Sequence, residues 1–455
     1  MLAIIAGPFG LGIYSQLINI SSLISVFLPV GGIGLTRTLS LFLSNKEYPK
    51  VKYLMKYFII RNSIASLILV LLVIIFSPQL GQFVFTTSSY DYLIILLAIT
   101  IPFSLFLNFI DIFFKSIRDI NNYVRFIIYN SIVSIVVTYP LIIFFEITGA
   151  IIALFLQGFI NTLLGIYFIK KINIFSWKIL PEKIDKKEIT SIYKVGIGVL
   201  SILIVQNLSF LLVKSQIASD LGVADVGKFQ SIYSISFNYL GIFFTALSIY
   251  SIPKFSTFKL KSENNTELNN TLKLLILVFT PSLCIIFVFR TLMITLLFSS
   301  EFLSVKDLLF YQLLGDFFRA FSWTFGLWLI PNLKIKQWVI FDLIFYSFFY
   351  FSFIIMIKFT NLGLKSVSIA YLASYVIHSF INYFYTVYSM EFKFNAKILK
   401  EIITSFIVIL LVLVTSLTNE SAGYFILFPV LIIWFFVSDG KNMAKQLKEF
   451  IIKKG

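Results

Sequence analysis

The feature that most constrains this chain is the distribution of its basic residues between long apolar segments. A helix needs roughly 20 apolar residues to cross a bilayer, and the sequence supplies such stretches over nearly its whole length. Most of the 37 basic residues lie in every second connection between these stretches, and the alternate connections contain few Lys or Arg residues. Because short loops rich in Lys and Arg stay in the cytoplasm, the pattern predicts a multi-pass membrane protein of fixed orientation.

The alternation also predicts how many times the chain crosses the membrane. The predicted spans are 14–41, 57–78, 92–114, 125–146, 149–169, 190–216, 229–252, 271–298, 307–331, 336–358, 364–388, 399–418 and 422–438. The lysine-rich connections and the basic C-terminus are predicted to face the cytoplasm of a bacterial cell, with the spans in its inner membrane.

The composition excludes several other classes of protein. The chain is 59% hydrophobic and only 13% charged, about half the charged share of a soluble domain. The net charge of +16 does not indicate nucleic-acid binding, because the basic residues lie in short loops where they set topology and can contact anionic lipids. A single cysteine, Cys284, and a single histidine, His378, exclude a disulfide framework and a Cys/His metal cluster.

A weak internal repeat divides the chain into two halves. Gly12 opens one span and Gly227 opens another, 215 positions later, and Tyr123-Val124 matches Trp338-Val339 at the same offset. The predicted organisation is an N-terminal lobe, a cytoplasmic linker, a second lobe, and two further helices with a basic cytoplasmic tail. These parts cover residues 1–172, 173–190, 191–390 and 391–455. Repeats of this kind commonly flank a substrate site in transporters.

Three segments of the chain carry a family resemblance. The first is GPFGLGIYSQLINISSLISVFLPVGGIGLTRTLS, the second is SQIASDLGVADVGKFQSIYSIS with SIYSIPKFS, and the third is LLFSSEFLSVKDLLFYQLLGDFFRAFSWTFGLWLIP. They resemble the Wzx-type polysaccharide-lipid flippases of the MOP exporter superfamily. The resemblance extends over roughly residues 7–390. It implies an all-α transmembrane bundle of two six-helix lobes around a central cavity, with two additional C-terminal helices. The family's first helix precedes the GPFGLG turn, so the chain is expected to lack most of that helix.

The resemblance implies a function as well as a fold. Flippases of this type carry undecaprenyl-pyrophosphate-linked oligosaccharide, such as O-antigen repeat units for lipopolysaccharide, from the cytoplasmic to the periplasmic leaflet by alternating access. The expected partners are this substrate, membrane lipids, a glycan polymerase and a chain-length regulator. No cofactor, metal or nucleic acid is expected, and the chain is not expected to be an enzyme.

Basic residues within or at the ends of spans are candidate contacts for an anionic head group, because a charge in hydrocarbon is expensive and usually faces a cavity or a partner. Arg37, Lys214, Arg290 and Arg319 are the candidates for a cationic cavity. The alternatives remain open: Arg37 and Arg290 as residues that reach the interface, Lys214 as an interfacial anchor, and Arg319 as half of a structural ion pair.

Three carboxylates are candidates for coupling transport to a proton or sodium gradient. Asp316 precedes Arg319 by three residues, so the two share a helix face as a switch or a structural pair. Asp111 and Asp342 occupy corresponding positions near the basic loops of the two halves, where they either couple ions or offset nearby lysines. His378 is interpreted as a packing residue, with a proton relay as the alternative.

Two alternative functions are compatible with the sequence. One is a membrane-embedded glycan polymerase or acyltransferase, although the chain has no large periplasmic loop and no acidic residue close to His378 in sequence. The other keeps the fold and changes the substrate to a drug or another lipid-linked precursor. Buried basic residues favour an anionic head group over a cationic drug.

Overall fold

A computed structural model describes the chain except for residues 27–31, 88, 118, 172–181, 258–259, 330, 333 and 439–455. The described residues form helices and connections, without a β-strand. In the first half the helices are α1 (Leu2–Val26), α2 (Gly32–Ser44), α3 (Tyr48–Ile75), α4 (Ser77–Phe85), α5 (Asp91–Ile117), α6 (Ile120–Lys171) and α7 (Lys186–Asp220). This confirms the predicted all-α class.

The second half continues with α8 (Val223–Tyr233), α9 (Leu240–Thr257), α10 (Lys261–Val288), α11 (Arg290–Leu297), α12 (Leu309–Gly326), α13 (Ile335–Phe359), α14 (Lys365–Met390), α15 (Ala396–Thr418) and α16 (Glu420–Val437). A π-helical turn, Ser234–Tyr239, joins α8 to α9, and a 3-10 helix, Ser300–Leu308, precedes α12.

Ten of the described helices are long and apolar enough to cross a membrane. The difference from thirteen predicted spans arises where helices are bent or interrupted. Helix α6 contains two of the predicted spans, and the spans predicted at 229–252 and 307–331 fall on shorter helical pieces. The multi-pass membrane class is therefore confirmed.

The bend in α6 is a hairpin. At Glu146 the backbone has φ 49° and ψ −120°, which ends the first helix and starts the second. Asn161 donates a hydrogen bond to Asn130, and Gln157 donates one to Thr138. The later position falls from 161 to 157 as its partner rises from 130 to 138, so the two helical segments run antiparallel. These buried amides therefore join helices, as polar residues often do within membranes.

The outer surface of the bundle is apolar in the way a lipid contact requires. On α3, the side chains of Ile64, Leu67, Ile68, Leu71 and Ile75 are each more than half exposed. Their spacing of three and four residues puts them on one face of the helix. A soluble protein would bury such a stripe, whereas hydrocarbon solvates it.

The described residues fall into two compact units, Met1–Gly227 and Lys228–Gly455. Helix α7, predicted to open the second lobe, packs against α1 and α2 of the first unit. Part of the predicted linker and most of the predicted basic tail lie outside the described residues, and the four-part division of the chain stays a prediction.

In the second unit, a polar cluster fastens the α14–α15 connection to α10. Glu391 accepts a hydrogen bond from Lys261 at 2.6 Å, which lowers the pKa of this carboxyl below its usual value. Asn269 donates to the carbonyl of Lys393 at 3.1 Å and accepts from the backbone N–H of Asn395 at 3.1 Å. These contacts position the hairpin formed by α15 and α16 on the rest of the unit.

The repeat-related glycines of α1 and α8 meet at a close crossing in the first unit. A Cβ atom built on Gly12 would lie 2.2 Å from the carbonyl oxygen of Val223, and one on Gly227 would lie 1.8 Å from that of Pro8. Positions 8 and 223, like positions 12 and 227, are 215 apart. Gly12 thus contacts the repeat equivalent of Pro8, and Pro8 contacts the repeat equivalent of Gly12. Such reciprocal contacts are typical of a local two-fold axis, so the crossing supports the internal repeat.

We expect Gly227→Ala to lower the stability of the protein by about 1–3 kcal/mol, because the added methyl meets a backbone oxygen that no rotamer change can move. The matched control is Gly241→Ala on α9, where the new Cβ has nothing within 4 Å. Thermal unfolding in detergent measures both variants. Equal unfolding midpoints for the two would contradict the close crossing.

Candidate functional site

An ion pair lies inside the second unit on α12. Arg319 Nη1 lies 3.3 Å from Asp316 Oδ1, one helical turn away, and Asp316 is 0% exposed. The carboxylate also accepts hydrogen bonds from the hydroxyls of Ser236 and Tyr371, the latter at 2.8 Å. Three donors from three elements thus hold the acidic member of the pair, which gives it the satisfied geometry that a buried charge requires.

The π-helical turn between α8 and α9 supplies two of the contacts to this pair. It places Ser236 on Asp316 and Phe237 on Arg319, whose guanidinium carbon is 3.8 Å from the Phe237 ring centroid. Phe244 lies on the same guanidinium at 4.8 Å. Single π-turns inside α-helices often occur at functional sites, because the extra residue redirects side chains that a regular helix would place elsewhere.

A second polar group lies on the facing helices α13 and α14. His378 Nε2 is 3.4 Å from Asp342 Oδ1, and its Nδ1 is 2.6 Å from the hydroxyl of Ser322. Asn382 donates to the carbonyl of His378 at 2.9 Å. The predicted ion-coupling residue Asp342 thus meets the histidine, although they are 36 positions apart in sequence.

A cavity of about 300 Å³ connects these groups within the second unit. The side chains of Arg319, Ser322, Asp342, His378 and Asn382 line it. The rest of the wall is mainly aromatic and includes Phe237, Trp323, Trp338, Tyr346 and Tyr375. A partly apolar cavity with a few convergent polar groups is the usual form of a small-molecule site.

The first unit contains a separate hollow of about 560 Å³ at the end of α2. Arg37 lines it with Ser40, Ser44, Tyr48 and Ser116. The Arg37 side chain is exposed, and it makes no ion pair or hydrogen bond with any residue that the structure describes. Its guanidinium is therefore available to an external anion.

Two other predicted cations are enclosed by protein. Lys214, on α7, is 2% exposed, which does not fit an anchor at the membrane interface. Arg290 is 1% exposed and donates to Asp307, to Phe287 O, to Ser416 Oγ and O, and to Glu420. All five of its N–H donors are engaged, which indicates a structural role. As substrate contacts, both residues stay predictions.

Asp111 differs from Asp342 in its surroundings. It forms an ion pair with Lys115 on the same helix and accepts a hydrogen bond from the hydroxyl of Tyr123. The two carboxylates are not equivalent by position, because Asp111 lies near the end of α5 and Asp342 near the start of α13. The geometry favours the reading in which Asp111 offsets a neighbouring lysine.

Several contacts of the site were not predicted from the sequence. Ser236, Tyr371 and Ser322 had no distinguishing signal, since a serine or tyrosine in an apolar span is common. In the sequence Trp338 stands out only by its match to Tyr123 in the repeat, and its place on the cavity wall depends on how α13 packs against α14. In the described residues, no group of three His, Cys, Asp or Glu side chains is placed to hold a metal ion.

These features define a class: a two-unit, all-helical, multi-pass membrane fold with charged side chains held inside the spans. Solved structures share this fold. One is the lipid II flippase MurJ in an inward closed conformation, with a TM-score of 0.73, 18% identity, and coverage of 98% of this chain and 95% of that chain. Another is an inward-facing multidrug resistance MATE family transporter of the MOP superfamily, with a TM-score of 0.72, 15% identity, and coverage of 86% and 92%.

A sequence relative has a more specific description. The chain is 21% identical over 344 residues to the Lipid III flippase of Escherichia coli (strain K12), which covers 75% of this chain and 82% of the relative. The Lipid III flippase of Shigella flexneri matches to the same extent. No protein-family profile matches the chain.

Proposed function

We propose that this protein is a flippase for undecaprenyl-pyrophosphate-linked oligosaccharide repeat units of O-antigen or a related surface glycan. It moves them from the cytoplasmic to the periplasmic leaflet of the bacterial inner membrane by alternating access. The observation that carries this proposal is the similarity to Lipid III flippases over three quarters of the chain. The fold shared with a lipid II flippase supports it independently.

The hollow around Arg37 supplies the chemistry that a pyrophosphate needs. An exposed guanidinium presents five N–H donors in a planar fork that matches phosphate oxygens. Tyr48 lines the same hollow and brings a phenolic O–H donor. The proposed orientation places the lysine-rich loops and the C-terminus in the cytoplasm.

Export is expected to fall roughly tenfold to a hundredfold in Arg37→Ala, because a hydrogen bond to a charged group contributes about 1.5–3 kcal/mol and about 1.4 kcal/mol corresponds to tenfold. Arg37→Lys should retain part of the activity, since it keeps the charge without the fork. The measurement is surface glycan in cells whose own gene is deleted and complemented with each variant.

Arg125→Ala is the matched control for this prediction, because Arg125 is an exposed arginine on α6 of the same unit and does not belong to the hollow. A reporter fused to the C-terminus checks that Arg37→Ala keeps the topology. Wild-type export by Arg37→Ala would remove the anion-binding role of the hollow.

A direct test separates a flippase from a polymerase. Cells that lack a flippase accumulate undecaprenyl-linked repeat units on the cytoplasmic side, whereas cells that lack a polymerase still display single units outside. We expect the first phenotype on deletion, together with its reversal by the wild-type gene. Accumulation of single units at the surface would contradict the proposal. The glycan polymerase and a chain-length regulator are the proposed partners at the next step.

The likeness to a multidrug MATE transporter supports a second candidate, an exporter of another substrate on the same fold. Drug sensitivity of the deletion strain distinguishes the two. Unchanged sensitivity to a panel of cationic drugs, combined with lost surface glycan, supports the glycolipid. Increased sensitivity with normal glycan supports the exporter.

A further inference from the structure

The cavity in the second unit is not explained by recognition of a lipid pyrophosphate alone. Its volume of about 300 Å³ is at the lower end of the range of small-molecule sites. Such a space suits one ring-sized group and is too small for an oligosaccharide or a polyprenyl chain. The chemistry of its wall therefore indicates which part of a large substrate enters it.

The formal charges at this cavity sum to zero at most and do not favour a phosphate. Arg319 on the wall is paired with Asp316, and Asp342 adds a second carboxylate. One guanidinium thus faces two carboxylates, and even a protonated His378 would bring the sum only to zero. A group with several negative charges would gain no net attraction here, in contrast to the hollow around Arg37.

The wall retains hydrogen-bonding capacity that the described residues do not use. Within the described residues, Arg319 makes one hydrogen bond, from Nη1 to Asp316, so most of its N–H donors remain available. His378 is 8% exposed, and its Nε2 is buried without a hydrogen bond, because the approach of Asp342 at 3.4 Å does not have hydrogen-bond geometry. Buried polar atoms are normally satisfied, so a bound partner with hydroxyl groups fits this wall.

The aromatic part of the wall is fixed in place by its own packing. The Tyr375 ring lies 4.4 Å from that of Phe345 and 4.7 Å from that of Tyr371, between centroids. Trp338 and Trp323 provide broad apolar surfaces in the same cavity. A sugar ring has apolar C–H faces and a polar edge of hydroxyls, and it therefore matches aromatic surfaces next to forked donors and a carboxylate.

We propose that this cavity is a binding subsite for one uncharged sugar ring of the transported glycan. Trp338 packs on the C–H face of the sugar ring. Asp342 accepts hydrogen bonds from the sugar hydroxyls, and His378 Nε2 accepts from or donates to them. The free N–H groups of Arg319 donate to another hydroxyl. The rigid wall reduces the ordering cost of binding. The subsite deepens the proposed function, since it rests on a glycan being the substrate.

The test is sugar binding to the purified full chain in lipid nanodiscs, measured by saturation-transfer NMR. The probes are the methyl glycosides of glucose, galactose, N-acetylglucosamine and a 6-deoxyhexose, with inorganic pyrophosphate as competitor. We expect at least one glycoside to bind and pyrophosphate not to displace it. Trp338→Leu should weaken that binding about tenfold or more, and Trp338→Phe should keep most of it.

Tyr350→Leu is the matched control, because it removes a ring from the same helix, α13, at a position that is not on the cavity wall. Three results would overturn the subsite: no glycoside binds, pyrophosphate displaces the bound glycoside, or Tyr350→Leu weakens binding as much as Trp338→Leu. The two proposals fail separately. If the purified protein binds a glycoside in a Trp338-dependent way while the deletion strain still exports its glycan, the proposed function is refuted and the cavity remains a sugar-binding site.

Discussion

Asp316→Leu is expected to destabilise the protein by about 3–5 kcal/mol, because it leaves the guanidinium of Arg319 enclosed without its counter-charge. It also removes the acceptor of the Ser236 and Tyr371 hydroxyls. Arg319→Met should have a comparable effect through the orphaned carboxylate. Thermal unfolding in detergent and the amount of protein in the membrane report both variants.

The double variant Asp316→Leu/Arg319→Met distinguishes a structural pair from a functional one. Replacing both members of a buried pair by apolar residues is often neutral, so most of the lost stability should return. If Arg319 contacts substrate, the double variant is folded and still fails to export glycan. Restored folding together with restored export would show that the pair serves the fold alone.

Asp111→Leu is the control for these substitutions. Its pair with Lys115 is on the other unit and is partly exposed, with 36% exposure of the Asp111 side chain. Such pairs contribute about 0–1 kcal/mol. An effect as large as that of Asp316→Leu would mean that burial does not govern the free-energy cost of losing the pair.

Arg290→Ala is the second substitution with a large expected effect, again about 3–5 kcal/mol. Arg290, the first residue of α11, donates to Ser416 and Glu420 of the α15–α16 hairpin and to Asp307. Its removal takes the guanidinium donor away from the Ser416 carbonyl and one of the two paired cations away from Glu420. Arg290→Lys should restore little, because an ammonium cannot reproduce five donors in a planar fork.

Lys306→Ala provides the comparison for Arg290. Lys306 pairs with the same Glu420 but is 29% exposed, so its loss should change stability by less than about 1 kcal/mol. Normal stability of Arg290→Ala, combined with lost export, would support the substrate-binding role predicted from the sequence instead of the structural one. Limited proteolysis of the hairpin gives an independent measure of its attachment.

The sequence predicted most of the spans, because apolar length and charge placement are both local signals. The span predicted at 14–41 is an exception, since α1 ends at Val26 and α2 begins at Gly32. An apolar run of sufficient length must be helical in hydrocarbon, where backbone groups have no water to bond. Kinks were less predictable. The π-turn at Ser234–Tyr239 depends on how neighbouring helices pack, and no residue there required it. The break at Glu146, in contrast, coincides with the predicted end of the span 125–146.

The candidate site was predicted in part. The pairing of Asp316 with Arg319 followed from a spacing of three on one helix, which is a local property. The partner of Asp342 did not follow from the sequence. Lysines were the expected neighbours of Asp342, and the structure places this carboxylate beside His378. The roles of Arg37 and Arg290 were equally uncertain from sequence, because an arginine in a span either faces a cavity or finds acidic partners.

The sequence alone therefore determined the all-helical, membrane-spanning class, since apolar length acts on each segment separately. The orientation that it indicates through charge placement stays a prediction. Only the tertiary structure decided which buried charges meet. It assigned Arg290 to a fully bonded cluster, left the guanidinium of Arg37 available, and enclosed Arg319, Asp342 and His378 around one cavity. The physical reason is that contacts between helices depend on their rotation and depth, which the apolar pattern of each helix leaves open.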